Sequence, residues 1–150
     1  MRPAIALGRA VCEIIAHRSG STEVEFESRE GFLLATATGL VSLNDAIQLF
    51  KGACDAAFEH GLNKILADFS GAHGELSDLE RYELGRSATE YYLTRPLAFK
   101  VATVGNPPLI NGFAAQVASN RGVVAETFSD FQQAAYWLNL FGHSPSTQTS

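Results

Sequence analysis

The run Lys64-Ile65-Leu66-Ala67-Asp68-Phe69, with the segment Ser70-Gly71-Ala72-His73-Gly74-Glu75-Leu76 behind it, constrains this chain more than any other stretch. Its short apolar centre reads as a buried strand and the segment after it as a polar loop. Ser77-Asp78-Leu79-Glu80 then forms a complete S-x-x-E capping box, opening a helix that runs to about Leu93, where Arg95-Pro96 stops it. On the other side, Ser42 and Asp45 mark the start of an earlier helix. Leu43, Ile47, Phe50, Cys54 and Ala57 fall on one of its faces, and Gly61 closes it as a left-handed cap.

The same alternation continues. Val24 and Phe26 alternate with Glu23, Glu25 and Glu27, a half-exposed strand, and Ser28 to Gly31 turn it into a second strand over Phe32 to Thr38. Leu97 to Val104 and Val123 to Phe128 read as further strands. Asn106 with Pro107 is placed to start the helix between them, which buries Phe113, Ala114, Val117 and Ala118 and ends at Asn120-Arg121-Gly122. Ser129-Asp130-Phe131-Gln132 caps a closing helix that buries Phe131, Ala134, Ala135, Leu138 and Phe141. Strands separated by helices of this length pair in parallel through right-handed crossovers. The expected fold is therefore α/β: a single-layer mixed sheet of about five strands with about four helices. Residues 21–142 form that domain, residues 1–20 are an N-terminal appendage, and the Ser/Thr/Pro-rich residues 143–150 are a disordered tail.

Charge and composition exclude several functions. The chain has 150 residues and a net charge of −5, with its eleven Lys and Arg scattered, so nucleic acid and anionic membrane surfaces are not expected partners. No apolar run approaches the roughly 20 residues of a membrane span. Met1-Arg2-Pro3 before Ala4-Ile5-Ala6-Leu7 has the outline of a signal peptide, but Arg9 and Glu13 interrupt it. Cys12 and Cys54 lack CxxC spacing, which fits a reducing compartment. The cytoplasm is the expected location.

Three groups of residues suggest a resemblance. They are the Asp68-x-x-Gly71 strand end, the Glu80-Arg81-Tyr82-Glu83 helix start, and the ending Ala118-Ser119-Asn120-Arg121-Gly122, Phe128, Ala135-Tyr136-Trp137-Leu138. Over roughly residues 23–141 the chain resembles the STAS fold of anti-sigma-factor antagonists, and more closely the SpoIIAA-like group also described as STAS/SEC14-like. The antagonists carry Asp-Ser-Ser-Gly after this strand, and a partner kinase phosphorylates its first Ser. Aligned without gaps, that Ser falls on Ser77, whose neighbours here are Leu76, Asp78 and Leu79. The resemblance implies a fold and a mode of acting through partners; it implies no cofactor.

Polar groups that could carry chemistry gather after the central strand. Ligands of open α/β sheets sit at strand carboxyl ends, which makes Asp68, Ser70, His73, Glu75, Ser77 and Asn106 the expected ligand- or partner-binding positions. Asp68, His73 and Glu75 could serve as a metal triad or as acid–base groups of a small hydrolase. His73-Gly74-Glu75 also matches the H-x-E half of the zinc-deaminase pattern, but the P-C-x-x-C half is missing. Ser77 is a helix cap and a candidate phosphorylation site. Asp78 and Glu80 oppose a phosphate there, while the helix dipole favours it. Tyr82, Tyr91 and Tyr92 either pack on the sheet or line an apolar pocket. Arg121 serves a helix C-terminus, and Cys54 reads as core. The expected function is a non-enzymatic binding or regulatory module for a protein partner or a small apolar ligand, without a metal or cofactor. The alternatives are a partner switch phosphorylated at Ser77 and a small hydrolase. The open edge of the hairpin leaves room for pairing with a second copy.

Overall fold

The computed structural model describes residues 14–19 and 22–140. In chain order the elements are β1 (Ile14–Ser19), β2 (Thr22–Arg29), β3 (Phe32–Leu40), α1 (Leu43–Glu59), β4 (Lys64–His73) and α2 (Asp78–Tyr92). β5 (Lys100–Val104), α3 (Phe113–Asn120), β6 (Val124–Phe128) and α4 (Phe131–Trp137) follow. The six strands form one sheet in chain order, β1 to β6. β1, β2 and β3 are antiparallel; β3 through β6 run parallel. This is the mixed α/β sheet expected from the residue pattern, with Ile14–Ser19 supplying one more strand at its edge. That strand pairs along most of the outer side of β2, from Ile14 opposite Glu27 to Ser19 opposite Thr22. The hairpin edge expected to be open is therefore occupied, and among the described residues β1 and β6 are the outermost strands. The readings at residues 1–13 and 141–150, including Cys12, Phe141 and the tail, lie outside the described residues.

Local chemistry accounts for the joints. Gly31, with φ +89°, makes the tight turn between β2 and β3. Ser42 and Asp45 form the reciprocal capping box of α1, and Gly61, with φ +69°, supplies the left-handed residue after it. β4 is longer than its composition suggests. The segment Ser70–His73, read as loop, stays extended because β3 runs on to Leu40 and offers a partner, with Thr38 opposite Gly71 and Leu40 opposite His73. A register shift separates these pairs from Thr36 opposite Asp68, so Ala37 faces two residues of β4. Conversely, Leu97–Phe99 do not join the ladder, and β5 begins at Lys100.

Two helix starts differ from the sequence reading. Asn106 does not cap α3. Its carbonyl instead accepts from Ile110 N–H at 2.9 Å in a turn, and the helix begins at Phe113 behind Gly112, at φ +91°. Asn111 supplies the nearby side-chain oxygen, accepting from Phe113 N–H at 3.1 Å. In α4 the cap is Asp130, not Ser129; its carboxylate accepts from Gln132 N–H at 3.0 Å.

Strand alternation sends side chains into two cores. Val24, Phe26, Leu33, Ala35, Ile65, Ala67, Phe69 and Val101 face α1, α2 and α3, while Leu34, Leu66, Ala102 and Val104 meet Ala134, Ala135 and Leu138 beneath α4. Phe131, expected to be buried in α4, is 37% exposed. Among the described residues no helix is long and apolar enough to cross a membrane.

Candidate functional site

Side chains 81, 84, 85, 88, 89 and 92 of α2 recur at intervals of three and one, which puts them on one helix face. That face meets α3 over β5 and β6. Several of the residues that meet are too small to fill the gap: Gly85 and Ala88 on one helix, Ala114, Ala115 and Ala118 on the other. At Gly85 the helices touch backbone to backbone, since a Cβ there would lie 2.6 Å from the Ala114 carbonyl oxygen and 2.8 Å from Val117 Cβ. Around this contact a partly open cavity remains, with about 60 Å³ of room for water-sized centres. Thr103 and Thr127, near the carboxyl ends of β5 and β6, contribute to its floor, and Leu109 to Gly112 form a wall.

The lining is almost wholly apolar, and its polar exceptions are informative. Arg81 is only 8% exposed. Its Nη1 donates to Asp78 Oδ1 at 3.3 Å and its Nη2 to the Pro108 carbonyl, which fastens the loop after β5 to the first turn of α2. Its Nε–H has no partner, and neither has the hydroxyl of Thr89. Among the described residues these are the two buried side-chain polar atoms left without a hydrogen bond, and both belong to residues lining the cavity. Buried polar groups are nearly always satisfied, and these two exceptions stand about two helical turns apart on the α2 face that borders the cavity.

Neighbouring polar groups are satisfied. Tyr92 is buried and donates its hydroxyl to the Phe50 carbonyl at 2.9 Å. Burial pushes its ionisation well up, with Cys54 and Asp55 adding in the same direction. Tyr91 donates to Asp55 at 2.9 Å, and Arg95 lies over its ring, 4.7 Å from the centroid. Arg121 closes α3 and donates to the Tyr82 hydroxyl at 2.8 Å, tying α3 to α2. Of the three tyrosines, only Tyr92 lines the cavity. Cys54 is fully buried, and burial pushes its thiol up to about 11.

The six expected site positions lie elsewhere; none lines the cavity. Asp68 is half-buried beside the register shift, and its Oδ1 accepts from Ser70 N–H at 2.9 Å. Ser70, His73, Glu75 and Asn106 are exposed. Ser77 is also exposed; its Oγ accepts from Glu80 N–H at 3.1 Å while Glu80 Oε1 accepts from Ser77 N–H at 2.9 Å. Asp68, His73 and Glu75 are not gathered: among the described residues no group of three or more His, Cys, Asp and Glu is placed to hold a metal ion. Leu76 and the loop after Val104, which follow strand ends, do line the cavity. The sequence signal for the cavity itself is the set of small residues at Gly85, Ala88, Ala114, Ala115 and Ala118.

Comparison with solved structures settles the architecture. An anti-sigma factor antagonist from Mycobacterium paratuberculosis superimposes with a TM-score of 0.55 at 13% identity, over 79% of this chain and 95% of that one. The fold is SpoIIAA-like. A DUF3478-family protein from Shewanella loihica, described as having a SpoIIAA-like fold, matches over 90% of this chain and 99% of its own at 20% identity, with a TM-score of 0.46. No family model and no curated protein matches the sequence. Within the SpoIIAA-like fold, Ser77 stands at the start of the helix after the central strand, and the cavity lies along the inner side of that same helix.

Proposed function

We propose that this chain is a non-enzymatic binding module of the cytoplasm that holds a small, mainly apolar ligand between α2 and α3. The observation that carries this reading is an apolar cavity walled by the small residues of α2 and α3, with Thr103, Asn111 and Thr127 as its polar neighbours near the carboxyl ends of β5 and β6. Binding sites have this composition: apolar walls and a few placed polar groups. Its test is mass spectrometry of the protein isolated from its own cells, under native and then denaturing conditions, beside the variant Ala118→Leu, which grows into the cavity. A small-molecule adduct seen only in the native spectrum, and absent from Ala118→Leu, is the expected result. A bare mass for the original chain in both spectra, with no small apolar compound raising its melting temperature, would end the reading.

A second reading keeps the partner-switching mode. Leu79 is 76% exposed, two residues beyond Ser77 on the first turn of α2, which suits an apolar contact with a protein partner. A phosphate on Ser77 would meet the Glu80 carboxylate that now completes the capping box, so modification would remodel that turn. Partner capture lost in both Ser77→Asp and Leu79→Ser, with melting unchanged, supports it; capture unaffected by either removes it.

A further inference from the structure

We infer that the ligand is an uncharged carbonyl compound, its oxygen seated between the hydroxyls of Thr103 and Thr127 and its apolar body among the alanines of α2 and α3. This rests on the cavity being a ligand site, and it adds the chemical class and the point of attachment.

Thr103 on β5 and Thr127 on β6 are register partners, so they stand side by side on adjacent parallel strands, about 4.8 Å apart. Both line the cavity. Alternation along β5 puts Val101 and Thr103 on the side of the helices, while Ala102 and Val104 belong to the core beneath α4. Among the described residues neither hydroxyl has a hydrogen-bond partner, and neither is one of the two fully enclosed orphans. Thr103 is only 8% exposed, so the access its hydroxyl keeps is access to the cavity. For Thr127, a Cβ built on Gly112 would lie 3.9 Å from Oγ1, which sets this hydroxyl against the wall formed by Leu109 to Gly112.

The charges of the lining disfavour an ion. Arg81 is the one charged residue there, and none of its nitrogens is offered to a ligand. Nη1 donates to Asp78, Nη2 donates to the Pro108 carbonyl, and Nε is sealed off from the cavity, as is the Thr89 hydroxyl. A carboxylate or an ammonium would enter without a counter-charge, and burying an unpaired ion is costly. What the cavity offers is a pair of neutral donors. A carbonyl oxygen has two lone pairs, and one seated between groups on neighbouring strands reaches both at ordinary hydrogen-bond length. A water in that place would have two partners, the fewest that hold one. A carbonyl reproduces those bonds and adds an apolar body, so it displaces the water at a gain.

The experiment uses three molecules with one ring: benzamide, with a neutral carbonyl head; benzoate, with an anionic one; and toluene, with a methyl group. Each is titrated calorimetrically into the full chain at pH 8. Benzamide is expected to bind about tenfold more tightly than benzoate, and the double variant Thr103→Val, Thr127→Val to lose about tenfold in benzamide affinity while toluene binds as before. Benzoate binding as tightly as benzamide overturns the neutral class. Benzamide affinity unchanged in the double variant overturns the seat at the threonines and leaves the cavity as an apolar site. Binding of neither benzamide nor toluene overturns the cavity reading as well, and so does benzamide binding that persists in Ala118→Leu. Valine is close to threonine in shape and favours strands, and toluene binding reports that the cavity of the double variant is intact. Where that variant does not fold, Thr127→Val alone, with benzamide and toluene compared on it, decides the seat.

Discussion

The Tyr92 hydroxyl donates to the main-chain carbonyl of Phe50 at 2.9 Å, joining the last turn of α2 to the middle of α1 in a wholly buried place. The Tyr92 ring also meets Phe99 edge-on, with centroids 5.1 Å apart. Tyr92→Phe keeps the ring and loses the bond, while the Phe50 carbonyl keeps its own helical partner, so a stability loss of about 1 kcal/mol is expected. Tyr92→Ala removes a buried aromatic and should cost roughly 3–5 kcal/mol. Urea denaturation of both variants checks the ratio; equal losses would mean that the hydroxyl dominates.

Gly85 is required for a spatial reason. A methyl group there meets the Ala114 carbonyl oxygen and Val117 at under 3 Å, and neither is the free end of a flexible chain. Gly85→Ala should therefore push α2 and α3 apart, outweigh the gain in helix propensity, and lower stability by about 1–3 kcal/mol. A melting temperature equal to or above that of the original chain would show that the helices separate freely.

Ser77→Ala breaks one half of the α2 capping box and should cost about 1 kcal/mol, whereas Ser77→Asp keeps a side-chain acceptor at the cap and should cost much less. Chemical denaturation separates the two. Large, equal losses would assign Ser77 a role beyond capping.

Alkaline pH should weaken the fold. In the unfolded chain the Cys54 thiol ionises near its ordinary 9.0, while in the folded chain burial, the largest cause, holds it protonated to about 11. Between those values the folded state keeps a proton that the unfolded state has lost, so stability falls as pH rises, by on the order of 3 kcal/mol in all. Tyr92, also shifted upward, acts with the same sign above its ordinary 10.0. Cys54→Ala should flatten the decline in unfolding free energy between pH 9 and 11. An unchanged slope would place the alkaline sensitivity elsewhere.

The fold was largely legible because its signals are local. The Ser42 and Ser77 capping boxes, the left-handed glycine at Gly61 and the Val24/Phe26 alternation each involve a few neighbouring residues, and each stands where the pattern puts it. The extended Ser70–His73 was missed because its structure depends on β3 reaching Leu40, a partner thirty residues away. Asn106 misled because Asn before Pro is a good cap in isolation, yet here it opens a separate turn ahead of Gly112. The site was harder to read. Arg81 follows a capping box, where a basic residue ordinarily points to solvent; it is buried because the loop carrying Pro108 folds over it. Polar loop residues carry overt chemical signals, whereas the facing sides of α2 and α3 at the cavity are largely glycine and alanine, whose one signal is small size.

The two faces of the sheet are unequally covered. Beneath α4 the second core takes residues from β3, β4 and β5, whereas Glu23 and Glu25 on β2 remain in water. Backbone amides should register that asymmetry. Those of β4 and β5, enclosed from both sides, exchange with deuterium only when the whole molecule opens, and those of β2 exchange earlier, through partial openings in which the hairpin peels away and the parallel half stays shut.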